Sequence, residues 1–258
     1  MPTTAEPGGT RRAPPLAIER AGGHPPRDPG ESPWRFDPPA GRGTVILAGG
    51  DFAPATILAA YRCGFFPWPH DDQEYLWFSP DPRAILPLER FSVTRRLARR
   101  MRQGRFRVTI DGAFAAVVEG CADRPGGTWI TPRLARAYCR LHELGWAHSI
   151  EVWSLDGALI GGLYGVAIGG LFGAESMFHR ATDASKIALA ALVQWCEARG
   201  MTLVDVQLLT PHLASLGAIE VPRQEYLRLL REALALPDRF LPDVSAVPPP
   251  PLTPSAER

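Results

Sequence analysis

Residues 159–207 read LIGGLYGVAIGGLFGAESMFHRATDASKIALAALVQWCEARGMTLVDVQ, and the interpretation of this stretch decides the fold. Between Asp156 and Glu175 lie 18 residues without a charge, about the length of a membrane span. Seven of the 18 are Gly, and each weakens a helix by about 1 kcal/mol relative to Ala. The Gly-Gly pairs cut the run into two short pieces, residues 163–168 and 171–176, joined by Gly169 and Gly170. Glycine accepts the positive φ that two-residue hairpin turns require, so two central strands are predicted, with Glu175 at their exit. The spacing of Gly161, Gly165 and Gly169 imitates a membrane dimerisation motif, but here it falls in strands.

Working outward, Asp183 stands at the start of a helix carrying Leu189, Leu192, Val193 and Cys196 and stopped by Gly200. Residues 203–208 form a strand, and a helix follows over about 222–233. Upstream, Ser149 to Trp153 alternate. Thr131-Pro132 opens a helix with Leu134, Ala137, Tyr138 and Leu141 inward. Asp111 is placed to cap a helix whose stripe is Phe114, Val117, Val118 and Cys121. From Arg105 the order is β-α-α-β-β-β-α-β-α, an α/β (α+β) arrangement with a mainly antiparallel central sheet.

Before it, residues 44–104 read as a small N-terminal domain. It holds a Pro-started, Gly-stopped helix over 53–64, an aromatic turn at Phe65 to Pro69, and short extended pieces at 76–83 and 84–88. It ends in a basic helix, residues 92–103, where Leu97 and Met101 face inward and Arg95, Arg96, Arg99, Arg100 and Arg102 crowd the other faces. Like charges so close repel unless something neutralises them. The patch reads either as a solvated face or as a contact for phosphates. Residues 105–246 make the main domain. Residues 1–43, rich in Pro, Gly and Arg, and the Pro-rich residues 247–258 cannot bury enough surface to offset their ordering entropy and are predicted disordered.

Composition bounds the rest. The 258 residues are 45% hydrophobic with a formal charge of +1, so nucleic-acid contact requires a local patch. The cysteines, Cys63, Cys121, Cys139 and Cys196, form no CxxC and read as free thiols of a reducing compartment. Without an apolar signal segment or a span, the expected location is the cytoplasm. His148, His179 and His212 lack metal-ligand spacing, so no metal is expected.

The order of elements is that of the N-acetyltransferase (GNAT) superfamily. Enzymes of that fold that use acetyl-CoA cradle pyrophosphate in a Gly-rich loop ahead of a helix, where this chain has HRATDASK, without glycine. Taken together, AYRCGFFPW, LWFSPDPRAILPLERF, VTIDGAF, TWITP, AYCRLHELGWAHSIEVW, GGLYGVAIGGLFGAESMF, DASKIAL, LVDVQLLTPHLASLGA and PRQEYL resemble the bacterial leucyl/phenylalanyl-tRNA–protein transferases. They stand in the family's order from about Ala59 to Leu227. The resemblance implies a small N-terminal domain followed by a GNAT-like acyltransferase domain. It also implies transfer of Leu or Phe, and Met less readily, from aminoacyl-tRNA to the α-amine of proteins beginning with Arg or Lys. That transfer marks them for degradation by the N-end rule. A monomer without cofactor or membrane association is expected.

An aminoacyl ester is already activated, and an α-amine with a pKa of about 7.7–8.0 is partly neutral at pH 7, so no covalent nucleophile is needed. Asp205 and Gln207, i and i+2 on one strand, share a face in a regular strand. They read as a polar pair at a sheet end or, by the resemblance, as a catalytic relay in which Gln207 accepts from the amine and Asp205 orients Gln207. Glu175 is implied beside them, either holding the bound amino acid's amine or attracting the acceptor's Arg or Lys. By the same resemblance Leu163, Met177, Leu192 and Val204 line the aminoacyl pocket, and Trp77 and Trp129 stack the tRNA's terminal adenine, with Tyr138 and Tyr164 as further contacts. The basic helix would hold acceptor-stem phosphates. The rival readings are an acyl-CoA-dependent N-acetyltransferase and a non-catalytic tRNA-binding module.

Overall fold

The computed structural model describes residues 11–241. In chain order the elements are β1 (Ile18–Arg20), β2 (Val45–Ala48), α1 (Pro54–Arg62), β3 (Phe66–Pro67), β4 (Leu76–Ser79), β5 (Arg83–Ile85), α2 (Arg95–Gln103), β6 (Arg107–Ile110) and α3 (Phe114–Ala122). They continue as α4 (Pro132–Glu143), β7 (Ala147–Trp153), β8 (Leu159–Ile168), β9 (Leu171–His179), α5 (Ala184–Arg199), β10 (Leu203–Gln207), α6 (Pro211–Ala214), β11 (Ile219–Val221) and α7 (Arg223–Leu234). From β6 on, the predicted order is present with two short additions, α6 and β11.

The predicted hairpin is β8 and β9. Ile168 pairs with Leu171 across Gly169-Gly170, and Gly169 has φ 58°. A Cβ on Gly169 would lie 2.7 Å from the Ala233 carbonyl oxygen, so both backbone angle and space demand glycine. The large sheet runs β1-β6-β7-β8-β9-β10-β5-β11. Only β1/β6 and β9/β10 are parallel, so it is mainly antiparallel. β7 was expected to alternate, but it is buried from Ala147 to Val152 because helices cover both sheet faces. One face packs α5 and α2 through residues such as Leu97, Met101, Ile150, Leu189 and Leu192. The other packs α1, α3 and α4 through Tyr61, Val117, Leu134 and Tyr138.

Three expectations need correction. First, the small domain ends before residue 83. Its sheet is β2-β4-β3, whereas β5 pairs with β10 and β11, and α2 shares a core with Val108 and Ile150. Second, Asp111 and Asp183 do not cap helices with their side chains. Asp111 instead accepts the Ser149 backbone N–H at 2.9 Å and pairs with His148 at 2.8 Å.

Third, residues 11–43 form a strap along the body. β1 adds to the edge of β6, with Ile18 opposite Val108. Arg27 N–H donates to the Leu144 carbonyl at 2.8 Å, and the Phe36 ring meets Trp77 at 5.1 Å. The buried Arg223 guanidinium donates to the carbonyls of Ala40, Gly41 and Gly43. A compositional criterion weighs what a segment buries by itself, but this one borrows an existing sheet edge and existing aromatic surface. Deleting residues 1–43 is expected to lower the melting temperature and, by baring the edge of β6, to increase aggregation, both measurable by light scattering during a thermal scan. The tail from residue 247, predicted disordered, lies outside the described residues.

Among the described residues no helix is long and apolar enough to cross a membrane.

Candidate active site

β9 and β10 pair side by side only from Leu171/Leu203 to Gly173/Asp205. Where they part, each carries a bulge. In the β8/β9 ladder Tyr164 faces Ser176 and Gly165 faces Ala174, which leaves Glu175 as the extra residue. In the β10/β5 ladder Asp205 faces Ile85 and Gln207 faces Ala84, which leaves Val206 extra, and Gln207 takes φ 59°. Bulges re-aim side chains. These two turn Glu175 and Gln207 toward each other on the wall of a cavity of about 760 Å³.

The Glu175 carboxylate accepts from Gln207 Nε2 at 3.0 Å and from the Tyr138 hydroxyl at 2.7 Å. Tyr61 stands behind, 3.3 Å from the Tyr138 oxygen. Burial pushes the Glu175 carboxyl up to about 7, against the opposing pull of the two tyrosine hydroxyls, and the charge of Asp205 adds to the rise. Burial and then the charge of Glu175 push both tyrosines well above their usual range, so they stay protonated donors. With Nε2 spent on Glu175, the Gln207 Oε1 carries no hydrogen bond from the described residues.

Asp205 does not reach the cavity. It is fully buried, and its oxygens accept from Arg83 Nε (2.9 Å), Arg83 Nη2 (2.6 Å), the Tyr226 hydroxyl (2.8 Å) and the Gln207 backbone N–H (2.9 Å). The expected sharing of a face therefore fails, because the left-handed turn at Gln207 interrupts the strand. Asp205 holds the backbone of Gln207, and Glu175 orients its amide. Arg83, absent from the sequence expectations, is the fully buried counterion, set between the rings of Phe66 and Tyr226 at 4.7 and 4.5 Å. A signal was present: an arginine between Pro82 and a run of apolar residues has little chance of a solvated position.

Of the expected pocket residues, Leu163 and Met177 line the cavity. Leu192 and Val204 lie in the core behind it, and Leu189 and Val206 take their places at the wall. The aromatic assignments also change. Trp77 is a core residue whose Nε1 donates to the Gly49 carbonyl at 3.0 Å, and Tyr138 and Tyr164 are fully buried. Trp129 does line the cavity, and its neighbour there is Trp68, at 6.3 Å between centroids and 55° between planes. Trp68 sits in a proline-flanked turn, where no strand face hides it. Trp77 sits in β4, on the buried face. We expect Trp68→Ala to weaken binding of any ligand whose base stacks in this cavity by about 1–3 kcal/mol. Trp77→Ala should instead cost about 3–5 kcal/mol of stability. Filter binding and urea denaturation would separate the two.

On the basic helix, Arg95, Arg99 and Arg102 are exposed. Arg96 and Arg100 pair with Asp183, an acid from elsewhere in the chain. Asp111, His142 and His148 bring ligand-type atoms within 4.8 Å of one another. Their contacts are hydrogen bonds: His148 Nδ1 to Asp111 Oδ2 and His142 Nδ1 to the Ala147 carbonyl, both 2.8 Å. His179 and His212 line the cavity.

A family model described as leucyl/phenylalanyl-tRNA protein transferase matches residues 85–231, and one for the N-terminal domain of such proteins matches residues 50–81. A leucyl/phenylalanyl-tRNA–protein transferase of Azoarcus sp. (strain BH72) is 49% identical over 206 residues, 75% of this chain and 87% of that protein. One from Stutzerimonas stutzeri (strain A1501) is 50% identical over 195 residues, 74% of this chain and 84% of that protein. Among solved structures, L-PGS from Bacillus licheniformis is 14% identical with a TM-score of 0.35 over 52% of this chain and 50% of that one, too slight a likeness to carry an argument.

Proposed function

This chain belongs to the leucyl/phenylalanyl-tRNA–protein transferase family and is an aminoacyltransferase, and we propose that it moves Leu or Phe, and Met less readily, from aminoacyl-tRNA to the α-amine of proteins beginning with Arg or Lys, marking them for N-end-rule degradation. The observation that carries this reading is the Glu175–Gln207 pair, set between an apolar wall and two indoles in one cavity.

The aminoacyl side chain enters against Leu163, Met177, Leu189 and Val206. A hydrophobic wall separates side chains differing by one methyl by only about 1–3 kcal/mol, so rejection of Ile and Val depends on its shape close to the Cβ. The terminal adenine enters between Trp68 and Trp129, which requires one indole to turn, since they stand tilted.

The acceptor amine donates a hydrogen bond to Gln207 Oε1, which aligns its lone pair on the ester carbonyl. An amide is a poor proton sink. Glu175, with its carboxyl pushed up to about 7, is matched to take the proton as the C–N bond forms. The ester C–O bond then breaks, and the proton passes to the leaving ribose hydroxyl. Because the carboxylate is largely withdrawn from bulk water, it holds this proton at a pH where an exposed glutamate would not.

The direct test offers radiolabelled Leu-tRNA, Phe-tRNA or acetyl-CoA with proteins beginning in Arg, Lys or Ala, and counts label retained on the protein. The proposal expects label only from the two tRNAs and only on Arg and Lys. Transfer from acetyl-CoA, or none at all, would overturn it.

A further inference from the structure

Asp183 stands at the N-cap of α5 with φ 67°, a left-handed conformation that Asp and Asn adopt more readily than other side-chain-bearing residues, and its carboxylate leaves the helix uncapped. The side chain is 3% exposed and gathers three cations. Oδ1 receives Arg96 Nη2 at 3.3 Å and Lys186 Nζ at 3.4 Å, and Oδ2 receives Arg100 Nη1 at 3.2 Å. Arg100 Nη1 also donates to the Thr182 carbonyl at 2.6 Å, which ties α2 to the start of α5. One carboxylate against three cations leaves a surplus of positive charge. Arg96 and Lys186 carry it to the cavity rim, with donors to spare, since a guanidinium has five and an ammonium three.

We propose that Asp183 is a positioning residue that aligns Lys186 and Arg96 into a clamp for the phosphodiester preceding the donor's terminal nucleoside. This rests on the aminoacyl-tRNA reading of the cavity. Within that reading the aminoacyl group takes the apolar wall and the adenine takes the indoles, so the donor's remaining chemistry at the rim is its phosphate. Lys186 is the only lysine of the chain. A flexible ammonium held by a buried carboxylate keeps one direction, and charge-assisted contacts to phosphate depend on that direction.

The test compares two donors, Leu-tRNA and 3′-O-leucyladenosine, which carries no phosphate, with the variants Asp183→Asn and Lys186→Gln. Asparagine is nearly isosteric and tolerates a positive φ, so the backbone at 183 is kept. Asp183→Asn makes the rim more positive, and a pure charge effect would lower the KM for Leu-tRNA. Positioning predicts the opposite: a rise of about tenfold in both variants, with the KM for leucyladenosine changing less than about twofold. The slope of log KM against log salt for Leu-tRNA should fall by about 0.7, the loss of one single-strand phosphate contact. A KM for Leu-tRNA that is unchanged or lower in Asp183→Asn overturns the proposal, as does an equal rise for both donors. If the unaltered protein transfers leucine from neither donor, the donor reading has failed and the clamp falls with it.

Discussion

Replacing Arg83 with methionine is expected to cost the fold about 3–5 kcal/mol and to abolish transfer, although Arg83 touches no substrate. Its guanidinium is the only cation on Asp205 among the described residues, and both side chains are wholly removed from water. Removing one partner leaves a buried carboxylate with the Tyr226 hydroxyl and one backbone N–H, too little to replace its lost hydration. The double variant Arg83→Met/Asp205→Leu should recover much of the stability, because replacing a buried ion pair with apolar side chains is often neutral. It should not recover activity, since the Gln207 N–H then lacks the acceptor that holds its left-handed backbone. Urea denaturation beside the transfer assay would read both outcomes.

Glu175→Gln is expected to make the protein more stable at pH 8 and nearly inactive. An unperturbed glutamate titrates near 4.5, whereas burial pushes Glu175 up to about 7. The folded state thus holds this proton more tightly than the unfolded chain. The stability from this group is complete below pH 4.5 and is lost as pH rises through about 7, and the charged carboxylate then costs the fold about 3 kcal/mol. Glutamine cannot ionise and escapes that loss, so the melting temperatures of variant and parent should converge in acid and separate above neutrality. The parent's kcat/KM should climb with Glu175 through pH 7 and again with the acceptor amine near its pKa of about 7.7–8.0, and the variant should keep only the second rise.

Much of the scaffold was readable from local signals. Gly169-Gly170 marked a turn that nothing else fits, and Thr131-Pro132 marked a helix start whose side chain does accept from the Leu134 N–H. The apolar stripe of α3 is buried as its spacing required. Glu175, Gln207, Leu163, Met177 and Trp129 were among the residues expected at the site and line one cavity, but Asp205, Leu192, Val204 and Trp77 were not placed by the sequence and the way the others meet was not legible. Glu175 and Gln207 are 32 residues apart and meet only because two strands bulge where they separate, and strand periodicity assumes no bulges. Leu192 and Val204 were one helical turn and one strand repeat behind the residues that reach the cavity, Leu189 and Val206, a displacement no pattern of apolar residues resolves. Arg83 and Asp205 are 122 residues apart, and only the tertiary fold makes them a pair. The strap was misread because its order depends on surfaces that other segments supply.

The central claim is that Gln207, turned by Glu175, receives the attacking amine. The most direct measurement is single-turnover transfer from pre-bound Leu-tRNA to a saturating peptide that begins with Arg, by the parent and by Gln207→Ala. The account predicts a rate about 10²–10⁴-fold lower in the variant, with affinity for Leu-tRNA within about twofold of the parent. An unchanged single-turnover rate would contradict it.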